Sequence, residues 1–338
     1  MDKENSLNDL NRHRYVVAVA VATTLSLFVL IISNFEKEWP DHVWAQLFTS
    51  GDNNSDKNNG STLILKGYSE QNKSSNMQNL DKFGIKEIYE TKPGGREWYV
   101  NMYNPYSDSY FILDDIDLKK EADGSWRLGG TDKDEQFNGK YHIIMGVNTP
   151  ARQAEWRDVE ITGYAKIISA SEEGDEAGLQ WYARGGNHTD EHPCEGTSVK
   201  GRLHVNGTAN WKKEIWHDEG YTDENGTEQA TTHPILDKWI GWKVIIYNID
   251  NNSAVKMESY IDSENNNEWK KVTDFTDSGG WYASSSEKDF LDAGCGRPMD
   301  YMVTNSGPVA AFRSDGILWD FKNLSVREIK PLPSPTDS

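Results

Sequence analysis

Positive charge is in short supply in this chain. Its 338 residues hold 35 Lys and Arg against 54 Asp and Glu, a formal net charge of −19. That balance excludes nucleic acid as a partner, because phosphate binding needs a basic footprint. Cysteine is almost missing too, with only Cys194 and Cys295, so the fold is not held by a dense disulfide framework. No internal repeat is present, which excludes a solenoid. No long helical period follows residue 34, which excludes a helical bundle. Long uncharged runs are also absent apart from one, residues 16–33, VVAVAVATTLSLFVLIIS.

That single run is just long enough to cross a bilayer as a helix. Arg12 and Arg14 precede it, and Glu36, Lys37 and Glu38 follow it. The positive flank predicts an anchor with the remainder of the chain outside the cell. A cleaved signal peptide is the rival reading, but Leu30-Ile31-Ile32-Ser33-Asn34 makes a poor cleavage site. In an exported chain, Cys194 and Cys295 are expected to be bonded. Eight Asn-x-Ser/Thr triplets, at Asn53, Asn59, Asn72, Asn187, Asn206, Asn225, Asn251 and Asn323, are candidate glycan acceptors.

What the chain has in quantity is aromatic residues, with 13 Trp and 15 Tyr, and period-two alternation. VEITGYAKI (159–167) places Val159, Ile161, Ala165 and Ile167 on one face. GLQWYAR (178–184) places Leu179, Trp181 and Ala183 on one face and Gln180, Tyr182 and Arg184 on the other. WIGWKVIIYNI, VKMESYI, VAAFR and ILWDFKNLSVREI repeat the pattern between Asn-Gly, Asn-Asn and Gly-Gly turns. Short strands at this spacing predict an all-β antiparallel sandwich or barrel. The Asn/Ser-rich stretches 51–61 and 69–79 read as a stalk. The expected division is an anchor over 1–34, a stalk over 35–82, a sandwich over 83–330 and a tail over 331–338.

The segment GRLHVNGTANWKKEIWH (201–217) reads as a hairpin about Asn206-Gly207. Val199, Leu203 and Val205 lie on one face of its first strand; Lys200, Arg202 and His204 lie on the other. A two-residue loop would set Lys200 opposite Lys213. A three-residue loop over 206–208 sets Lys200 opposite Glu214 and Leu203 opposite Trp211. The second pairs unlike charges and like apolar groups, so it is the expected register. It leaves Lys213 on the apolar side. The bases then share a surface with Glu214 and Trp216.

WDFKNLSVREI is similar to the last strand of concanavalin A-like lectin and glucanase jelly rolls, and WIGWKVIIYNIDNNSAVKMESYID resembles their central strands. WYARGGNH, CEGTSVKG and NSGPVAAFR are similar to segments of membrane-anchored archaeal surface proteins of this fold type. The resemblance implies a two-sheet antiparallel jelly-roll sandwich with a carbohydrate-facing sheet. It also implies a structural Ca²⁺, for which Asp114, Asp117 and Asp320 are the candidate oxygen ligands, beside Asp115. The Glu-x-Asp-x-x-Glu strand of the fold's hydrolases is absent, as is the Tyr-Phe-Lys strand of its lyases.

The candidate ligand surface comprises Tyr182, Arg184, Lys200, Arg202, His204, Glu214, Trp216, Lys243 and Tyr247. Aromatic rings carry sugar C–H faces, and Arg grips carboxylates. The expected function is an extracellular polysaccharide-binding protein for an acidic or cell-surface glycan. A polysaccharide lyase using His204 or Tyr247 as base, or a glycoside hydrolase, acting on a uronic-acid-containing glycan is the alternative, and a ligand-free envelope protein is a third reading. HTDEHPCEG (188–196) carries a zinc-like His spacing, but Pro193 argues against the helix that spacing needs.

Overall fold

The computed structural model describes residues 79–331, apart from 114–115, 129–141, 149–154, 172–176, 187, 218 and 231–233. The apolar run 16–33, Asp114, Asp115 and Asn187 lie outside the described residues. No helix among the described residues is long and apolar enough to cross a membrane.

The alternating segments fold as strands. They are β1 (Glu97–Tyr99), β2 (Phe111–Ile112), β3 (Leu118–Lys120), β4 (Trp126–Leu128), β5 (His142–Asn148), β6 (Val159–Ala170), β7 (Gly178–Gly185) and β8 (Ser198–His204). β9 (Thr208–Glu214), β10 (Asn225–Ala230), β11 (Trp239–Ile249), β12 (Ala254–Asp262), β13 (Lys270–Asp277), β14 (Val309–Asp315) and β15 (Ile317–Glu328) follow. One short helix, α1 (Glu287–Asp292), is capped by Ser286, whose hydroxyl accepts from Asp289 N.

The strands form two antiparallel sheets. An eight-stranded sheet runs β13-β12-β11-β6-β15-β4-β3, with β1 also on β15; a seven-stranded sheet runs β10-β9-β8-β7-β14-β5-β2. Of the sandwich or barrel expected from the alternation, the two-sheet antiparallel sandwich is what forms. The core lies between the sheets, around Trp181, Trp211, Trp242 and Trp319, all fully buried. Two glycines set the closest approach. A Cβ on Gly201 of β8 would lie 2.7 Å from Val244 of β11, and one on Gly163 of β6 would lie 3.0 Å from Trp181 of β7.

The β8–β9 register corrects the expected one. Lys200 stands opposite Lys212, Gly201 opposite Trp211 and Leu203 opposite Ala209. The loop is Val205-Asn206-Gly207, closed by Gly207 N donating to His204 O. The slip is two residues, so every side chain keeps its expected face. Lys213 accordingly lies on the core side. It is fully buried there, with Nζ 2.8 Å from Asp277 Oδ2 and 4.9 Å from the Trp281 ring centroid. A charge placed inward is tolerated because a partner meets it.

Residues 79–92 lie across the outer face of the eight-stranded sheet. Ile88 N and Tyr89 N donate to Glu160 Oε2, and Tyr89 OH donates to Glu258. Ile88 and Tyr89 close a small apolar cluster with Ile245, Tyr247, Tyr260 and Ile329. The first and last parts of the described chain meet here. Glu97 pairs with Arg327, Thr91 bridges Ile329, and Lys330 N donates to Glu90 O.

Cys194 and Cys295 form the expected disulfide, 101 residues apart in sequence. It ties the loop before β8 to the segment after α1, beside a cluster of Ile215, Trp216, Ala283 and Phe290. Of the described glycan acceptors, Asn206, Asn225 and Asn251 are exposed, whereas Asn323 is half-buried and its Ser325 is fully buried.

Candidate functional site

The alternation of β7, β8, β9 and β14 turns one set of side chains to the core and the other to the outer face of the seven-stranded sheet. The outer set is Gln180, Tyr182, Lys200, Arg202, Asn210, Lys212, Glu214, Arg313 and Asp315. Tyr182 lies opposite Lys200, and Gln180 lies opposite Arg202 on one side and Arg313 on the other.

Glu214 is the hub. Its Oε2 lies 2.9 Å from Lys200 Nζ, 3.1 Å from His188 Nε2 and 3.0 Å from Ser198 Oγ. Its Oε1 lies 3.5 Å from His217 Nδ1. Burial pushes the Glu214 carboxyl upward, but Lys200 and His188 outweigh burial and hold it well below the ordinary range. Lys200 is caught by the same burial, which lowers it to about 8 despite Glu214. Its Nζ sits 4.6 Å from the Tyr221 ring centroid and 5.5 Å from that of Tyr182. Burial, with Glu214 second, keeps both phenols protonated.

Two further pairs flank this hub. Arg313 grips Asp315 with two bonds of 2.7 and 2.9 Å, and Gln180 donates to the same carboxylate at 2.6 Å. Arg202 pairs with Glu224, which also accepts from Asn210. Lys200, Arg202 and Gln180 are nearly fully buried. The side chains of His188 and His217 are 22% exposed, and that of Arg313 is 18% exposed. These three, with the exposed Glu224 and the half-buried Lys212 and Tyr221, are where solvent meets the cluster.

The structure divides the surface expected from sequence. It brings together Tyr182, Lys200, Arg202 and Glu214, with His204 on the same face opposite Gly178 at its far end. It removes Lys243 and Tyr247, which belong to the outer face of the other sheet. Lys243 Nζ is 2.7 Å from Glu160 there, and Tyr247 OH meets Tyr89 OH at 3.2 Å. Alternation within each strand was read correctly, but it does not say to which sheet a strand belongs. His204 and Tyr247, the alternative bases, therefore lie on different sheets.

Arg184 leaves the face for a different reason. Its φ is +67°, and the β7–β14 register shifts between Val309 and Ala311. This bulge swings the guanidinium into the end of the sandwich, where it donates to Arg157 O, Val303 O and Asn248 Oδ1 at 3.0, 2.6 and 2.6 Å. Burial lowers it to about 9, against the pull of Asp158. Trp216 departs because the chain turns after Glu214, with Ile215 N donating to Gly220 O. Its ring packs edge-on to Phe290.

Asp320 offers no free oxygen pair to a cation, since Arg127 holds both oxygens at 2.6 and 2.9 Å. Asp117 is exposed, and among the described residues no group of three His, Cys, Asp or Glu side chains could hold a metal ion. Asp320 is thus engaged in an ion pair with Arg127, while the candidate ligands Asp114 and Asp115 lie outside the described residues.

Sequence reading weighed His188 only for its zinc-like spacing and missed its place beside Glu214; it also missed His217, Tyr221, Glu224, Arg313 and Asp315. His188, His217, Tyr221 and Glu224 come from turns, where period two gives no direction. Arg313 and Asp315 were legible, because VAAFRSD continues the alternation.

No protein-family model matches this chain, and no curated protein matches it. Solved structures similar to it include peanut lectin, at 7% identity and TM-score 0.39, covering 70% of this chain and 99% of that one. A Bacillus subtilis protein of galectin-like fold gives 9% identity and TM-score 0.41, covering 72% and 100%. The exoplasmic/lumenal domain of VIP36 in its Ca²⁺/mannose-bound form gives 9% and 0.40, covering 70% and 91%.

Proposed function

We propose that this is a carbohydrate-binding protein whose ligand lies on the polar face of the seven-stranded sheet. The observation that carries the reading is the matching of charge on that face. Lys200 is paired with Glu214, Arg202 with Glu224 and Arg313 with Asp315. Cations held this way serve as fixed hydrogen-bond donors, and their carboxylates as fixed acceptors. The half-buried phenol ring of Tyr221 stands among them, with Tyr182 buried beneath. Fixed donors, acceptors and aromatic faces suit a sugar ring, which presents hydroxyls at its edge and C–H groups on its faces.

The pairing also bears on the expected preference for acidic glycans. An incoming carboxylate would have to displace a carboxylate already in place. We therefore read the ligand as a neutral saccharide, recognised through hydroxyls. Attachment to a membrane by residues 16–33 and display outside the cell belong to the same proposal and rest on the sequence alone.

Titration of the full chain with neutral and acidic oligosaccharides tests it. Arg313→Ala and His188→Ala alter the solvent-reachable rim and should each weaken binding by about 1.5–3 kcal/mol, the scale of a hydrogen bond to a charged group. Wild-type affinity in both folded variants would refute this site.

A further inference from the structure

A second group of side chains lies away from that face. Among the described residues, Tyr103, Tyr106 and Tyr110 are 85%, 52% and 44% exposed, three large apolar side chains open to solvent within eight positions. They belong to NMYNPYSDSY (101–110), the loop between β1 and β2. Exposed rings in a mobile loop would mean little, but this loop is held tightly. Asn101 Oδ1 accepts from Tyr103 N at 3.0 Å and Asn104 N at 3.3 Å, and Asn104 Oδ1 accepts from Tyr106 N at 3.2 Å. Asp108 Oδ1 accepts from Tyr110 N at 2.9 Å.

Core tryptophans fasten the loop from below. Trp98 Nε1 donates to Asp108 Oδ2 at 2.7 Å, and Trp126 Nε1 donates to Met102 O at 3.0 Å. The rings are also placed. Lys120 Nζ stands 5.2 Å from the Tyr103 centroid, and Tyr106 OH accepts from Leu118 N at 2.6 Å and donates to Ile116 O at 3.2 Å. Both rings are thereby set along β3, the edge strand of the eight-stranded sheet.

We propose that Tyr103, Tyr106 and Tyr110 form a stacking platform for a neutral polysaccharide, a second ligand site distinct from the polar face. The inference rests on reading the chain as carbohydrate-binding. Three arguments select this occupant. Rings ordered before binding, as those of Tyr103 and Tyr106 are, lose little entropy on contact, and the loop's internal hydrogen bonds hold the backbone that carries Tyr110. The other exposed residues of the loop are Asn101, Asn104, Ser107 and Ser109, with no aliphatic side chain. A protein-binding patch would offer a contiguous apolar centre. Amides and hydroxyls between aromatic faces instead match a ligand whose hydroxyls alternate with C–H faces. Finally, among the described residues β3 is the outermost strand of its sheet, where a chain-like ligand can run past the loop.

The test is depletion of the full chain from solution by cellulose, chitin and mannan suspensions. Wild type, Tyr103→Ala/Tyr110→Ala and Arg313→Ala are compared, with urea unfolding midpoints as fold control. The two substituted rings are exposed, so that midpoint should not move. Loss of about tenfold or more in affinity by the double tyrosine variant supports the platform, that being the scale of one buried ring face. If Arg313→Ala then binds normally, the platform acts without the polar face. Unchanged binding by the tyrosine variant overturns the platform, and loss confined to Arg313→Ala does so while supporting the polar face. Failure of the wild type to bind any of the three polysaccharides also overturns it.

Discussion

Single residues here are decided by whether a buried charge finds a partner. Lys213 and Asp277 face each other inside the sandwich, both nearly inaccessible. Removing one partner strands the other, so Lys213→Met should cost about 3–5 kcal/mol in urea unfolding. Lys213→Met/Asp277→Leu should recover most of that loss, and an additive double variant would show that the pair is not coupled. Glu214 makes a pH-dependent contribution. Its carboxyl is held below its ordinary value of 4.5, so the unfolded chain takes up the proton first as acid is added. The stability it supplies is complete above about pH 4.5 and is lost as pH falls through the lower folded-state value. The urea midpoint of Glu214→Gln should therefore fall less steeply between pH 5 and 2 than that of wild type. Equal slopes would contradict the assignment.

Elements were more legible than their neighbours. The alternation in residues 159–167, 178–184 and 309–313 marks strands correctly, because apolar side chains at every second position can be buried only on a pleated sheet. The β8–β9 faces also followed from pattern, while the register did not, because several pairings two residues apart bury the same side chains. Arg184 shows the other limit: one bulge reverses the direction of a side chain, and nothing in GLQWYARGG announces it. Lys243 and Tyr247 show that strand order across a sandwich is set by packing over long sequence separations, which a local pattern does not encode. The loop before β8, which carries His188 of the site, is joined to distant chain by Cys194–Cys295. Closing a loop of this length contributes about 4–5 kcal/mol in the chain-entropy model. Reduction, or Cys194→Ser/Cys295→Ser, should lower the unfolding free energy by a few kcal/mol. Peptide mass mapping without reductant should recover the two cysteines as one linked species, and two free thiols would refute the bond.

For the whole molecule, composition and alternation foretold an all-β antiparallel sandwich or barrel with an aromatic core, and only the resemblance narrowed it to two sheets. The acidic balance is carried by a surface on which the described bases mostly meet carboxylates, so charge alone does not reveal a site. The meeting of the two ends has a further consequence. Asn79 Nδ2 donates to Glu90 Oε1 at 3.1 Å, and Glu90 O accepts from Lys330 N at 2.9 Å, so the start and finish of the sandwich are neighbours in space. In topological terms the domain is nearly a closed ring, and where the ring is cut is largely a matter of convention. A circular permutant that joins residue 331 to residue 79 through a short Gly/Ser linker and opens at the exposed Asn206 turn should fold with the native tryptophan emission spectrum. A permutant that fails to fold would show that the order of synthesis, rather than the finished contacts, selects this sandwich. The same adjacency would let the sandwich be carried as an insert in a loop of another protein, entering and leaving through one doorway.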